Sequence, residues 1–495
     1  MEEFKANIKP QIIELDGFDM LPHITNISFY FYYENIGNVN NDQFMPPEQL
    51  KTAFYKAMAE FPILAGTAKT DNTGKTYIEI TRDNLNKMVY TDSQCDTHFQ
   101  AFKDADFNPS LLPNAFYEAR MVPAPPGYFG GCIKLVEIHI VRMKDCSGIV
   151  IFASVSHMIF DAYGFSSFIN RWAEINKAML SITGGIDAVI PCTCTFLQDR
   201  SILNIGRSSE SDRVETDICD SLSSSRTLSK WLSWISPELR GRMCKLACYY
   251  TKVKNCYYHI STRALESLRS SIQEYVATDT PRLSINDVIT AVVTVVISQC
   301  AILDEQGQKG AVATTRYLLN KIIGGSTDYT LYYAVDTRLR LKHLSDVVYT
   351  GNSVFLRKIV TPKDVLQNNS IFQTLAIVAS HIRRVVVDTD AQYVGQFGYM
   401  VNKEPDSYMR FILGHMSARN AILVSSQTRI SYYDADFGYG IPTMVKPGFL
   451  TFPNVVLPMP CRPGTDGYDI AFTVSQAVAE KIKQHRFFMD LVSKF

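Results

Sequence analysis

The stretch "SVSHMIFDAYGF", residues 154–165, places a histidine and an aspartate four positions apart, between a strand-like run and a helix-like one. Upstream, "KLVEIHIVR" (134–142) and "GIVIFASV" (148–155) read as two strands joined by the short "MKDCS" connection. Downstream, Phe165, Phe168, Ile169, Trp172 and Ile175 recur at helical spacing. His157 and Asp161 therefore stand at a strand end and in the turn that starts a helix. Side chains in such a place are presented at the rim of a sheet, where a rigid scaffold can hold a reacting group. From the residues alone the pair has three readings: core packing, metal ligation, or a base with its support.

The same alternation of strand and helix signals extends in both directions. Residues 47–61 put Leu50, Phe54, Met58 and Phe61 on one helical face, and "TYIEIT" (76–81) alternates as a strand. Ser261 opens a helix carrying Leu265, Leu268 and Ile272. Ser284 and Asp287 form a capping box before the apolar run 288–303. "TLYYAVDTRLR" (330–340) begins as a strand, and Thr361-Pro362 starts a helix expected to run to about Arg384. "ILVSSQTRISYYDADFGYGIP" (422–442) reads as a strand followed by an unusual turn. "YDIAFTV" (468–474) is a strand with a helix behind it. Between the halves, residues 206–250 are polar and Ser-rich and read as a linker or surface excursion. The expected division is 1–205, a 206–250 crossover, and 251–495, two α/β units each built on a mixed sheet flanked by helices.

Composition excludes several classes. The chain of 495 residues is 46% hydrophobic with a formal net charge of zero, so no basic surface for nucleic acid or anionic lipid is expected. The eleven cysteines include no C-x-x-C pair and read as reduced thiols of an intracellular protein. The N-terminus lacks the apolar core of a signal peptide, and 288–303 is short for a membrane span. A cytoplasmic location follows. The final Ser493-Lys494-Phe495 only approximates the S-K-L peroxisomal address. Gly74-Lys75-Thr76 lacks the first glycine of a phosphate loop and precedes a strand. "GFSSF" (164–168) lacks the last glycine of a nucleophile elbow. No third His, Cys or Glu stands at ligand spacing from His157 and Asp161, so no metal is expected.

"HMIFDAYG" (157–164) and "DFGYG" (436–440) together resemble the BAHD acyltransferases, which carry H-x-x-x-D-G and D-F-G-W-G. "LDGFDMLP" (15–22), "FPILAGTAK" (61–69), "VDTRLR" (335–340) and "YTGN" (349–352) resemble further family elements in the same order. The likeness therefore runs along essentially the whole chain. Length and "LQDRSIL" (197–203) are closer to fungal members, similar to trichothecene 3-O-acetyltransferase-like proteins. Ala162 stands where the family has glycine after the aspartate, and Tyr439 where it has tryptophan.

The resemblance implies two chloramphenicol-acetyltransferase-like domains with a channel between them, and a segment near 421–447 crossing back to the first. It implies transfer of an acyl group from an acyl-CoA thioester to a hydroxyl or amine of a small, secondary-metabolite acceptor (EC 2.3.1.-). His157 would be the general base. An imidazole with a pKa near 6.5 suits that task, and base catalysis is typically worth about 10²–10⁴ in rate. A thioester is already activated, which agrees with the missing nucleophile elbow. Asp161 would turn away from substrate and pair with Arg338, while Asp436, Gly438 and Gly440 would form a structural turn. Ser425 and Ser426 are the candidates for oxyanion or substrate contacts. Acyl-CoA would be a co-substrate, with no permanently bound cofactor, and the enzyme a monomer. Two other readings stand beside this one. A carrier-protein condensation domain would have a second histidine where Ser156 lies. A degenerate homologue would bind acyl-CoA or a metabolite without turnover.

Overall fold

A computed structural model describes residues 9–20, 26–37, 43–71, 75–82, 88–113, 134–181, 195–203, 253–307, 328–344, 347–403, 420–448 and 453–494. The expected crossover at 206–250, Cys192, Cys194, Cys244, Cys248 and Gly74 lie outside them. Within them Cys95, Cys300 and Cys461 are free thiols.

Gln11–Glu14 (β1), Thr67–Thr70 (β3) and Thr76–Ile80 (β4) make a small antiparallel sheet. Asn26–Glu34 (β2), Val89–Gln94 (β5), Val136–Arg142 (β6), Gly148–Ser156 (β7) and Met444–Pro447 (β14) make a five-stranded sheet in the order β14-β2-β7-β6-β5. β6 and β7 pair antiparallel, with Ile140 opposite Ile151. Their connection is tight enough to hold Asp145 and Cys146 at φ of 54°. All nine residues of β7 are buried. The helices Pro47–Glu60 (α1) and Ala162–Ser181 (α2) cover one face, where Phe54, Phe168 and Trp172 share a cluster with Ile149 and Ile151. Phe99, Phe102 and Phe107 cover the other, against Tyr30, Tyr32 and Phe152. Two covered faces explain why "GIVIFASV" has no polar alternation.

The second half centres on a seven-stranded sheet. Its strands are Val253–Ile260 (β9), Tyr329–Asp336 (β10), Val354–Thr361 (β12), Ala421–Val424 (β13), Val455–Pro460 (β15), Tyr468–Ser475 (β16) and Ser493–Lys494 (β17). The order is β12-β10-β13-β15-β16-β9-β17. Thr262–Gln273 (α3), Ile285–Gly307 (α4) and Ile371–Asp388 (α5) pack on one face in a single apolar cluster. Ser284 and Asp287 cap α4 reciprocally, Asp287 N–H to Ser284 Oγ at 3.2 Å and Ser284 N–H to Asp287 Oδ2 at 2.7 Å. α4 is long and apolar enough to cross a membrane, but 78% of its apolar window is buried within the protein. It is the core helix of this half. The helix expected from Thr361-Pro362 to Arg384 is instead two. Asn369 is extended (φ −91°, ψ 158°), and Ser370 with Gln373 forms a second capping box that starts α5. A local cap outcompetes continuous propensity there.

The halves are interlocked. β14 comes from the second half yet pairs antiparallel with β2, Lys446 opposite Tyr30. Leu457, Met459 and Ala471, on the other face of the seven-stranded sheet, join the apolar cluster of α1 and α2. Phe196–Leu197 (β8) pairs in parallel with Val348–Tyr349 (β11), which brings the 349–353 segment to the end of β7.

Candidate active site

β7 ends at Ser156, and the chain turns at once, with Ile159 N–H bonded to Ser156 O at 3.2 Å. His157 sits in this turn, partly buried at the strand end. Asp161 begins α2: its Oδ1 accepts from Tyr163 N–H and Gly164 N–H, both at 3.1 Å, satisfying donors a helix start leaves open. Arg338 clamps the same carboxylate with two bonds, Nη1 to Oδ2 at 2.9 Å and Nη2 to Oδ1 at 3.0 Å. Ser353 N–H adds a bond to Oδ2 at 3.0 Å. The carboxylate is thus occupied by Arg338 and three backbone donors, and none of its bonds goes to the His157 ring.

Arg338 does more than pair. Its Nε donates to Tyr349 O at 2.9 Å and its Nη2 to Gly351 O at 2.7 Å. The guanidinium lies 4.6 Å from the centre of the Tyr163 ring. One side chain of the second half thereby holds both the start of α2 and the "YTGN" segment. The approach is close enough that Gly164 is obligatory, because a Cβ there would stand 2.0 Å from Thr350 O. Ala162, by contrast, has no positive φ and needs no glycine.

The ring of His157 is oriented by a different residue. His157 Nδ1 lies 3.2 Å from Asn352 Oδ1. Asn352 Nδ2 donates to His157 O and to Asp19 Oδ1, each at 2.9 Å. An amide nitrogen that faces two acceptors must carry the hydrogens, so the oxygen faces the ring and Nδ1 is the protonated nitrogen. Nε2 then keeps its lone pair. Asp19 is fixed in turn by Arg200, Nε to Oδ2 at 3.0 Å, and Arg200 Nη2 also donates to Ile159 O at 2.6 Å, inside the His157 turn. Asp19, Asn352 and Arg200 are all buried. Burial pulls the His157 pKa below the ordinary 6.5, with Asp161 opposing the shift. The neutral imidazole is favoured. Asn352, Asp19 and Arg200 were not singled out in the sequence, yet each lies in a quoted segment: "YTGN", "LDGFDMLP" and "LQDRSIL".

The 436–440 turn lies elsewhere. Asp436 Oδ1 accepts from Gly438 N–H (2.8 Å) and Gly440 N–H (3.0 Å), and its Oδ2 pairs with Lys177 at 2.6 Å. Burial would raise this carboxyl, but Lys177 and the two N–H groups hold it below its usual value. Gly438 and Gly440 have φ of 96° and 100°, which favour glycine. Phe437 packs edge-on against Trp172, ring centres 4.9 Å apart. Tyr439 meets Phe44 edge-on at 5.3 Å. Lys177 is sixteen residues along α2 from Asp161, about 24 Å at 1.5 Å per residue. The turn therefore braces the far end of α2.

Ser425 and Ser426 follow β13. Ser425 N–H bonds to Val456 O at 2.9 Å. Ser426 Oγ donates to Asn286 Oδ1 at 2.6 Å, so its one hydroxyl hydrogen is committed within the fold. Among the described residues no group of three His, Cys, Asp or Glu side chains could hold a metal ion.

A family model described as "Transferase family" matches residues 6–231 and 249–489. A hydroxycinnamoyltransferase of Narcissus pseudonarcissus is 23% identical over 463 residues, covering 92% of this chain and 90% of that protein. Putrescine hydroxycinnamoyltransferase 1 of Oryza sativa subsp. japonica is 22% identical over 476 residues, covering 92% and 89%. The crystal structure of F. sporotrichioides TRI101 complexed with coenzyme A and T-2 superposes with a TM-score of 0.70 at 16% identity, covering 98% of this chain and 99% of that one. Vinorine synthase superposes at 0.59 with 14% identity, covering 98% of each. At these identities the solved structures show a shared fold.

Proposed function

This chain belongs to the Transferase family, the BAHD acyltransferases, and from that membership we propose that it moves an acyl group from an acyl-CoA thioester to a hydroxyl or amine of a small molecule, with His157 as general base. The observation that carries the assignment is the Asn352 amide, which holds the proton on Nδ1 and leaves the Nε2 lone pair for the acceptor. In the proposed reaction Nε2 takes the acceptor's proton as its oxygen or nitrogen bonds to the thioester carbonyl carbon. The tetrahedral anion collapses, the carbon–sulfur bond breaks, and the imidazolium returns the proton to the departing thiolate. No covalent acyl-enzyme is needed. Asp161 is a positioning residue in this scheme, locked by Arg338. Coenzyme A bound to the structural relative TRI101 supports acyl-CoA as the co-substrate. Small acceptors named for the relatives, T-2 and putrescine, support a small-molecule acceptor class. The same reading takes the enzyme as a cytoplasmic monomer without a resident cofactor. A secondary metabolite of fungal type is the acceptor it favours.

The test is release of free CoA thiol from acetyl-CoA and longer acyl-CoAs with a panel of alcohols and amines. Wild type should turn over at least one pair, and His157→Ala should lose roughly 10²–10⁴-fold in kcat. A folded His157→Ala enzyme with the wild-type rate would refute the base assignment.

A further inference from the structure

Two buried carboxylates stand behind the His157 turn, and each is matched by one guanidinium. Asp161 has Arg338. Asp19 has Arg200, and this second pair lies deeper, with side chains 0% and 3% exposed. Arg200 grips both carboxylate oxygens, Nε to Oδ2 at 3.0 Å and Nη2 to Oδ1 at 3.4 Å. Two more of its bonds go to backbone, Nη1 to Gln198 O and Nη2 to Ile159 O, each at 2.6 Å. A Cβ on Gly351 would stand 3.1 Å from Arg200 Cζ, so the guanidinium rests against the chain beside Asn352.

The Asp19 carboxylate lies one side chain behind the imidazole. Its Oδ1 accepts from Asn352 Nδ2 at 2.9 Å, and Asn352 Oδ1 lies 3.2 Å from His157 Nδ1. An unmatched buried anion in that place favours the imidazolium, which cannot act as a base. The other groups around Asp19 supply no charge that could replace Arg200. Asp16 N–H donates to Asp19 Oδ2 at 3.2 Å, and burial together with the Asp19 charge pushes the Asp16 carboxyl up to about 8, so it is mostly protonated at neutral pH. The Tyr349 phenol, which feels both Asp19 and Arg200, is held well above its ordinary value by burial and stays neutral. On the other side of the turn, Arg338 is committed to Asp161 and Asp336. Among the described residues, Arg200 is the one cation matched to Asp19.

We propose that Arg200 is a positioning residue for the acyl transfer: it cancels the charge of Asp19, so that Asp19 aligns the His157 ring through Asn352 without drawing a proton onto it. The inference rests on the acyl-transfer reading above. In the resting enzyme the Asp19–Arg200 pair is neutral overall, and Nε2 keeps its lone pair. When Nε2 takes the acceptor's proton, the imidazolium forms beside a neutral pair. The ring then stays acidic enough to return that proton to the departing thiolate.

Titration of the His157 ring by NMR, its signal assigned by its loss in His157→Ala, tests this without a known acceptor. Arg200→Met removes the cation and leaves Asp19 unmatched, whereas Asp19→Asn leaves Arg200 unmatched. The ring should respond with opposite signs: about tenfold or more higher proton affinity in Arg200→Met, and lower affinity than wild type in Asp19→Asn. The double variant, neutral at both positions, should return to within about twofold of wild type. Arg200→Lys, which keeps the charge, should stay within roughly threefold. A merely structural role would lower stability in these variants without opposite shifts that cancel. If Arg200→Met folds and titrates within about threefold of wild type, or the double variant shifts as far as Arg200→Met, the inference is overturned and the acyl-transfer reading stands. Where Arg200→Met does not fold, Asp19→Asn decides, and an unmoved ring overturns the inference. If the ring shifts as expected but wild type consumes acyl-CoA no faster than His157→Ala with any acceptor, the acyl-transfer reading falls, and the positioning role falls with it.

Discussion

Replacing Arg338 by alanine is the sharpest test of the tertiary lock. The side chains of Arg338 and Asp161 are 9% and 3% exposed, so the pair belongs to the buried class and not to surface ion pairs. Removing one partner of a buried pair typically costs about 3–5 kcal/mol, because the other charge is left uncompensated. Asp161 keeps three backbone donors, from Tyr163, Gly164 and Ser353. That places the cost near the lower end, about 3 kcal/mol. Loss of the bonds to Tyr349 O and Gly351 O frees the segment that carries Asn352. For a cooperative unit of about 200 residues, 3 kcal/mol lowers Tm by roughly 6–12 °C. Differential scanning calorimetry of wild type, Arg338→Ala, Asp161→Asn and the double variant measures this. The double variant should be less destabilised than the sum of the singles, since no buried Asp161 charge is left alone; Asp336, which also pairs with Arg338 at 3.1 Å, is 39% exposed and keeps access to water. A Tm loss in Arg338→Ala under about 2 °C, or additive singles, would refute the reasoning.

Asn352→Leu removes the group that fixes the His157 tautomer, and kcat should fall roughly 10²-fold with little change in KM; unchanged kcat would show that Asn352 does not orient the ring. The lowered His157 pKa has a signed consequence. The folded state disfavours the protonated ring, so activity should hold below pH 6.5 and decline only as pH falls through the depressed value. The same shift makes this residue's contribution to stability complete above the unfolded imidazole pKa and lost as pH falls from there toward the folded value. A kcat/KM profile with its acid limb above 6.5 contradicts the shift. Gly164→Ala places a methyl 2.0 Å from backbone oxygen, which cannot rotate aside, and should cost about 1–3 kcal/mol or more by overpacking; a wild-type melting curve would show the contact to be looser.

Much of this molecule is legible because its signals are local. The helical stripe after Gly164, the 284–287 capping box and the strands at 134–142 and 148–155 follow from periods and caps within a few residues. The Ser370 capping box that splits the helix after Pro362 is equally local, and an unbroken apolar pattern masked it. Asp161 and Arg338 were paired through family likeness, not through spacing. His157 could be placed at a strand end, but its orienting residue could not be.

Local patterns in the chain gave most of the elements, their order and the position of His157 at the end of a buried strand. What the polar side chains of the site do was settled by long-range packing. Arg338 meets Asp161 across 177 positions, and Asn352 meets Asp19 across 333. It separated "DFGYG" from the base by the length of α2 and gave that turn to Lys177. It tied the Ser426 hydroxyl to Asn286. The physical reason is range. Backbone periodicity and capping act over one or two turns, whereas hydrogen-bond and charge satisfaction in a buried site is settled by whichever distant groups the packed sheets bring within 3 Å.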